Sequence, residues 1–227
     1  MITNMPTFGR TYEGLILQAE TRRNRLHLLG SYTYSESKGN TANGPAQTYA
    51  TALADFFPVH FFNREGWLPD HRSHRVKIIG YYLFPHNWTV GFDGFFSSAG
   101  HQTIFSTCNN LNGADPNDPL FAELGIDYDD VLSYCTTPDN AFLGTTDIYL
   151  SSRGEYETKS TWQLDLQGSK TWNLKKVDLT IVGTVYNVFD RELDLTFNSE
   201  AFIDTAMGEP LSYRLPRRYE VCFRSEF

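Results

Sequence analysis

Few residues in this chain have the types and spacing that chemistry needs. One polar stretch, roughly Ser98 to Lys159, carries Cys108 and Cys135 together with Asp115, Asn117, Asp118, Asp127, Asp129 and Asp130. Those oxygens could hold calcium or attract a cation, but they match neither the spacing of a twelve-residue calcium loop nor its Gly and Glu positions, so a solvated acidic loop is expected. Asp70, His71 and His74 invite a metal reading. On a strand, however, an i, i+3 pair points to opposite faces, and no metal is expected there. The chain has no Gly-x-Ser-x-Gly elbow, no His-Glu-x-x-His pair and no phosphate-binding glycine loop. Its carboxylates lack a positioned base partner, so no enzyme and no cofactor are expected.

The scaffold that must position these residues can be bounded from composition. The 227 residues hold 19 Lys+Arg against 27 Asp+Glu, a net charge of -8, which argues against a nucleic-acid partner. No run approaches the 18 or so apolar residues of a transmembrane helix, although a transmembrane strand is not excluded. Aromatic residues make up 15% of the chain, and the question is what arranges so many rings. The first residues lack the features of a secretory signal, and three cysteines do not decide the redox compartment.

Period-two alternation recurs in seven segments bounded by turn residues, as half-buried strands require. They begin near Thr11, Leu26, His74, Trp88, Trp162, Asp178 and Tyr219. In the fourth, Trp88, Val90, Phe92, Gly94 and Phe96 share one face, with Thr89, Gly91, Asp93, Phe95 and Ser97 on the other. Short links (Arg22 to Asn24, Pro85 to Asn87, Trp172 to Lys176) alternate with long polar ones (Lys38 to Ser73, Ser98 to Lys159, Asp190 to Leu215). Long loops of this kind argue against an ordinary sandwich, whereas short turns at one end and long loops at the other are the pattern of an outer-membrane barrel. Phe84, Trp88, Trp172 and Phe227 fall at the short-turn ends, and Tyr32, Tyr34, Phe96, Trp162, Tyr186 and Tyr219 toward the long-loop ends, as two interfacial girdles would.

His74-Arg-Val-Lys-Ile-Ile-Gly-Tyr-Tyr-Leu-Phe-Pro, Arg153-Gly154 followed by Trp162-Gln-Leu-Asp-Leu166, Tyr186-Asn-Val-Phe-Asp-Arg191 and Pro216-Arg-Arg-Tyr219 before a terminal Phe227 occur in this order. Together they resemble the end of the barrel in TonB-dependent outer-membrane receptors, of the Oar-like group. The resemblance implies a barrel of about 22 strands, of which seven supply roughly a third, so residues 1–227 are expected to be a C-terminal portion lacking the plug and the earlier strands. It implies a bacterial outer-membrane location with long loops outside, and as partners membrane lipid, the barrel-assembly machinery and an unknown solute. TonB would be reached only through the missing N-terminal region.

Tyr219, Val221, Phe223 and Phe227 match the terminal strand that the assembly machinery reads, with Ser225 departing from the pattern. With Ser98 to Lys159 outside, in an oxidising setting, a Cys108–Cys135 disulfide is expected, worth a few kcal/mol of loop-closure entropy. Cys222 has no evident partner. Asp165, Asp178, Glu220 and Arg224 are expected to face the lumen. Two other functions fit the same residues: an adhesin or structural barrel without transport, and a soluble carbohydrate-binding β module whose rings stack on sugars.

Overall fold

The structure, a computed structural model, describes residues 9–40, 63–68, 71–136, 141–142, 144, 147–192, 194–198, 201–202 and 208–226. Seven long strands run through it: β1 (Arg10–Arg23), β2 (Leu26–Gly39), β3 (His74–Phe84), β4 (Trp88–Ser97), β5 (Thr161–Leu174), β6 (Val177–Tyr186) and β7 (Arg218–Glu226). Each pairs antiparallel with the next, and the short strand Gly66–Trp67 adds to β2, giving one eight-stranded sheet. The class is all-β, an open up-and-down meander: β1 and β7 each have a single partner strand, so the sheet does not close on itself.

The reversals follow from residues that tolerate left-handed backbone. Asn24 (φ 54°), His86 (φ 62°) and Asn87 (φ 59°) occupy the first two links, and asparagine enters this region at little cost. Lys175 (φ 26°) turns the third. Because β5 continues to Leu174, that link is shorter than the Trp172 to Lys176 stretch expected.

The register sorts the side chains into two chemistries. Leu28 lies opposite Gly80, Gly80 opposite Phe92, Phe92 opposite Leu166, Leu166 opposite Val185, and Val185 opposite Tyr219. One residue along, the row reads His27, Tyr81, Gly91, Gln167, Thr184 and Glu220. Since neighbours along a strand point to opposite faces, the first row is one apolar face and the second one polar face. Among the described residues no second sheet covers the apolar face. Ile78, Val90, Leu166, Val221 and Phe223 are all exposed there.

The buried core lies elsewhere. Every buried hydrophobic side chain among the described residues (Leu68, Ile104, Cys108, Leu111, Phe121, Val131, Cys135, Ile148, Leu150 and Ala201) comes from the long connections, none from the seven strands. A water-soluble sheet would show the reverse.

The connection between β4 and β5 is folded, while Asp115, Asn117, Asp127, Asp129 and Asp130 on it are exposed and Asp118 is half-buried. Its strand Phe105–Thr107 pairs with Asp147–Tyr149, and His101–Gln102 with Tyr156–Glu157. Helices α1 (Cys108–Asn112), α2 (Pro119–Leu124) and α3 (Tyr128–Ser133) pack around Leu111, Phe121 and Val131. The acidic residues shape these helices. Asp118 caps α2 by accepting from the Leu120 amide (2.9 Å), and Asp127 caps α3 by accepting from the Asp130 amide (3.0 Å). Helices of five or six residues bury only one or two side chains each, too few for the apolar period that reveals a helix in sequence.

Candidate functional site

At the long-loop end of the polar face, β4, β5, β6 and the approach to β7 line a half-open cavity of about 510 Å³. Phe95, Thr161, Gln163, Tyr186, Asn187 and Arg218 line it with the segment Tyr213–Pro216. Phe95 and Gln163 face each other across β4 and β5, and Arg218 opens β7 opposite Tyr186. The Arg218 guanidinium stands 5.0 Å from the Tyr186 ring centre, and that of Arg214 stands 4.4 Å from the ring centre of Phe95. Burial pushes Arg214 down from its ordinary value, partly offset by the charge of Asp165.

Asn187 fixes this geometry. It is almost wholly buried, at φ 53°, and ends β6. Its Nδ2 donates to the carbonyls of Arg191 and Leu215 (both 3.3 Å), and its Oδ1 accepts from the Arg191 amide (3.2 Å). One side chain thus ties the start of the long connection to the segment that returns for β7. Asp190 reinforces the closure by accepting from the Arg217 amide at 2.8 Å.

The four residues expected to face the lumen all lie on the polar face, but they do not converge. Asp165 accepts from the Asn187 amide (2.8 Å) and from Gln163 Nε2 (2.5 Å), just below the cavity, and lies directly opposite Asp93. Glu220 accepts from the Tyr186 hydroxyl (2.9 Å) and Cys222 Sγ (3.2 Å). Asp178 lies at the opposite end, accepting from Asn173 Nδ2 (2.9 Å), and Arg224 pairs with Glu226 nearby. Tyr186 is a correction: its register with Arg218 puts it on the polar face, so it is a cavity residue and not part of the outer girdle.

Phe95, Arg214 and Arg218 were missed as site residues. The available signal was parity, because Phe95 and Tyr186 are rings at polar-face positions of their strands.

Tyr219, Val221 and Phe223 form an apolar row on edge strand β7, 71%, 61% and 72% exposed, while Phe227 lies outside the described residues. Cys108 and Cys135 are joined, with S–S 2.07 Å and Cα–Cα 5.6 Å, within the buried cluster of the folded β4–β5 connection. Cys222 is free, exposed and on the polar face. His71 and His74 do not meet at a metal. His71 Nδ1 accepts from the Ser37 amide (3.1 Å), and Trp67 is stacked 4.1 Å from His71 and 5.2 Å from His101. His74 Nδ1 instead meets the Tyr32 hydroxyl at 2.8 Å, and Asp70 lies outside the described residues. Among the described residues no group of three or more His, Cys, Asp or Glu could hold a metal. Burial, followed by the charge of His101, pushes His71 down from its ordinary value.

Gly66 and Gly154 let this unit reach the sheet. Gly66 bridges to Arg153, whose backbone leaves no room for a Cβ, and Gly154 (φ 68°) sits against the backbone and side chain of Trp67.

No protein-family model matches the chain, and no curated protein matches it in sequence. Among solved structures, the siderophore receptor PiuA from Acinetobacter baumannii is similar in fold, with a TM-score of 0.50 and 12% identity, over 96% of this chain and 22% of that one. The likeness is one of fold: an open, all-β antiparallel portion that matches part of that receptor. The chain spans less than a quarter of that receptor's length.

Proposed function

We propose that the chain is wall and outer surface of an Oar-like, TonB-dependent receptor in a bacterial outer membrane, a C-terminal portion of a barrel that moves a bulky solute. The observation that carries this reading is the inverted burial: the strands carry most of their exposed apolar side chains on one face that nothing covers among the described residues, with Ile16, Ile79 and Leu83 on the other, and the hydrophobic core lies in the connections. An apolar face needs a solvent, and lipid is the one that suits a continuous band. Its height fits. From Trp162 to Trp172 along β5 is ten residue steps, which at ~3.3 Å per residue and a tilt of ~40° is ~25 Å, the height of an outer-membrane apolar band.

In this reading the polar face lines the lumen, the cavity contacts solute on its way in, and the folded outer unit stands on the cell surface. The chain works by binding and not by catalysis. TonB would act through parts of the receptor outside this chain, and Tyr219, Val221, Phe223 and Phe227 would present the last strand to the assembly machinery. Membrane fractionation after expression with an export signal tests it. Recovery in the outer-membrane fraction, resistant to carbonate and released by detergent, is expected; a monodisperse, detergent-independent protein refutes it and returns the soluble β module. The disulfide-stapled outer unit favours a second role, adhesion without transport. A plug domain encoded upstream would argue for transport, and an intact gene without one for adhesion.

A further inference from the structure

We propose that the cavity at the long-loop end is an oxyanion site, in which Arg214 and Arg218 hold the charged group of a small ligand while Phe95 and Tyr186 face its flat apolar part. The proposal rests on the receptor reading for its setting and on the local geometry for its chemistry.

Four other cations have carboxylate partners among the described residues: Arg22 with Glu20, Lys38 with Glu36, Arg217 with Asp190 and Arg224 with Glu226. Arg214 and Arg218, by contrast, have neither an ion pair nor a side-chain hydrogen bond among the described residues; their contacts are ring faces. A ring occupies one face of a guanidinium and leaves its in-plane N–H donors available, in a fork that matches a carboxylate or phosphate. The neighbouring carboxylates do not fill that fork. Asp165 is engaged by Asn187 and Gln163, and Glu220 by Tyr186 and Cys222. Asp93, level with Asp165 and two residues from Phe95 on the same face, adds negative charge below the site, so the oxyanion is held at the cavity mouth rather than further in. Two donor forks above hydrogen-bonded carboxylates, in a cavity of about 510 Å³, make a space of small-molecule size.

Phenyl phosphate, which joins a ring to an oxyanion, is the probe, with phenol as its uncharged control. Titration calorimetry on the full chain in detergent micelles, with β structure verified by circular dichroism, should show saturable binding of phenyl phosphate that weakens with salt, and none of phenol. Arg214→Gln and Arg218→Gln should each weaken binding roughly tenfold or more, and the double variant should abolish it. Arg224→Gln, at the opposite end of the polar face, should leave it unchanged. Should a Gln variant fail to fold, the Arg214→Lys and Arg218→Lys pair keeps the charge but loses the fork and should weaken binding without abolishing it. Absence of saturable binding, equal binding of phenol, or unchanged affinity in a folded double variant overturns the proposal. Outer-membrane recovery without anion binding sinks this inference alone, whereas anion binding by a detergent-independent protein sinks the receptor reading and leaves the site standing.

Discussion

Placing an arginine at Leu166 and at Gln167 puts the same charge on opposite faces of one strand, one residue apart. In the receptor reading Leu166, four steps from Trp162 and six from Trp172, sits ~10 Å from one aromatic level and ~15 Å from the other, near the middle of the lipid band. An arginine at that depth of a lipid-facing wall costs ~2–4 kcal/mol, a drop of roughly 30- to 700-fold in the folded fraction. Gln167 donates to Thr184 Oγ1 (3.2 Å) on the polar face, and Gln167→Arg forfeits only that half-exposed hydrogen bond, less than about 1 kcal/mol. The assay is urea unfolding in short-chain phosphatidylcholine vesicles, followed by tryptophan fluorescence. Trp88, Trp162 and Trp172 share the apolar face with Leu166 and report on its solvent. Equal costs for Leu166→Arg and Gln167→Arg, or a larger cost for Gln167→Arg, would refute the assignment of faces.

The Cys108–Cys135 bond spans a separation of 27 residues, for which the chain-entropy model gives ~3–4 kcal/mol; Cys108→Ala with Cys135→Ala should therefore shorten the protease half-life of the folded β4–β5 connection, and an unchanged half-life would count against the bond's role. Asp127→Ala removes the cap of α3 and should cost the same unit ~1 kcal/mol, read as faster amide exchange at Asp129 and Asp130. Because His71 in the folded chain titrates below its ordinary 6.5, the unfolded chain binds more protons in that interval. The contribution of His71 is whole above pH ~6.5 and is lost as pH falls toward the folded value. Proteolysis at pH 7.5 and 5.5 should show the Trp67 contact loosening in acid, and His71→Gln should flatten the difference. Without detergent, two unpaired edges and an uncovered apolar face should make the chain aggregate, and soluble two-state unfolding would contradict this.

Strand positions were legible because an exposed or lipid-facing sheet obeys one rule, period-two alternation, that no distant contact needs to supply. His74–Phe84 and Trp88–Ser97 are the strands the alternation predicts. The folded β4–β5 connection was illegible for the opposite reason. Its helices are too short to show a period, and Asp118 and Asp127 read as solvated charges until the amides they cap are in view. The cavity was half legible, since the polar-face parity of Phe95 and Tyr186 was there to be noticed, but no pattern announced Arg214.

The sequence by itself determined which residues alternate, where the chain reverses and which side of each strand is apolar, because these depend on neighbours one or two positions away. Only the tertiary structure decided that the hydrophobic core sits in the connections, that the segment before β7 folds back onto the end of β6, and that Arg214 and Arg218 meet one cavity. Those outcomes depend on register between strands and on Asn187 joining Arg191 to Leu215 across the long connection. Contacts between residues so far apart in the chain leave no local pattern, and only the folded backbone brings them within reach.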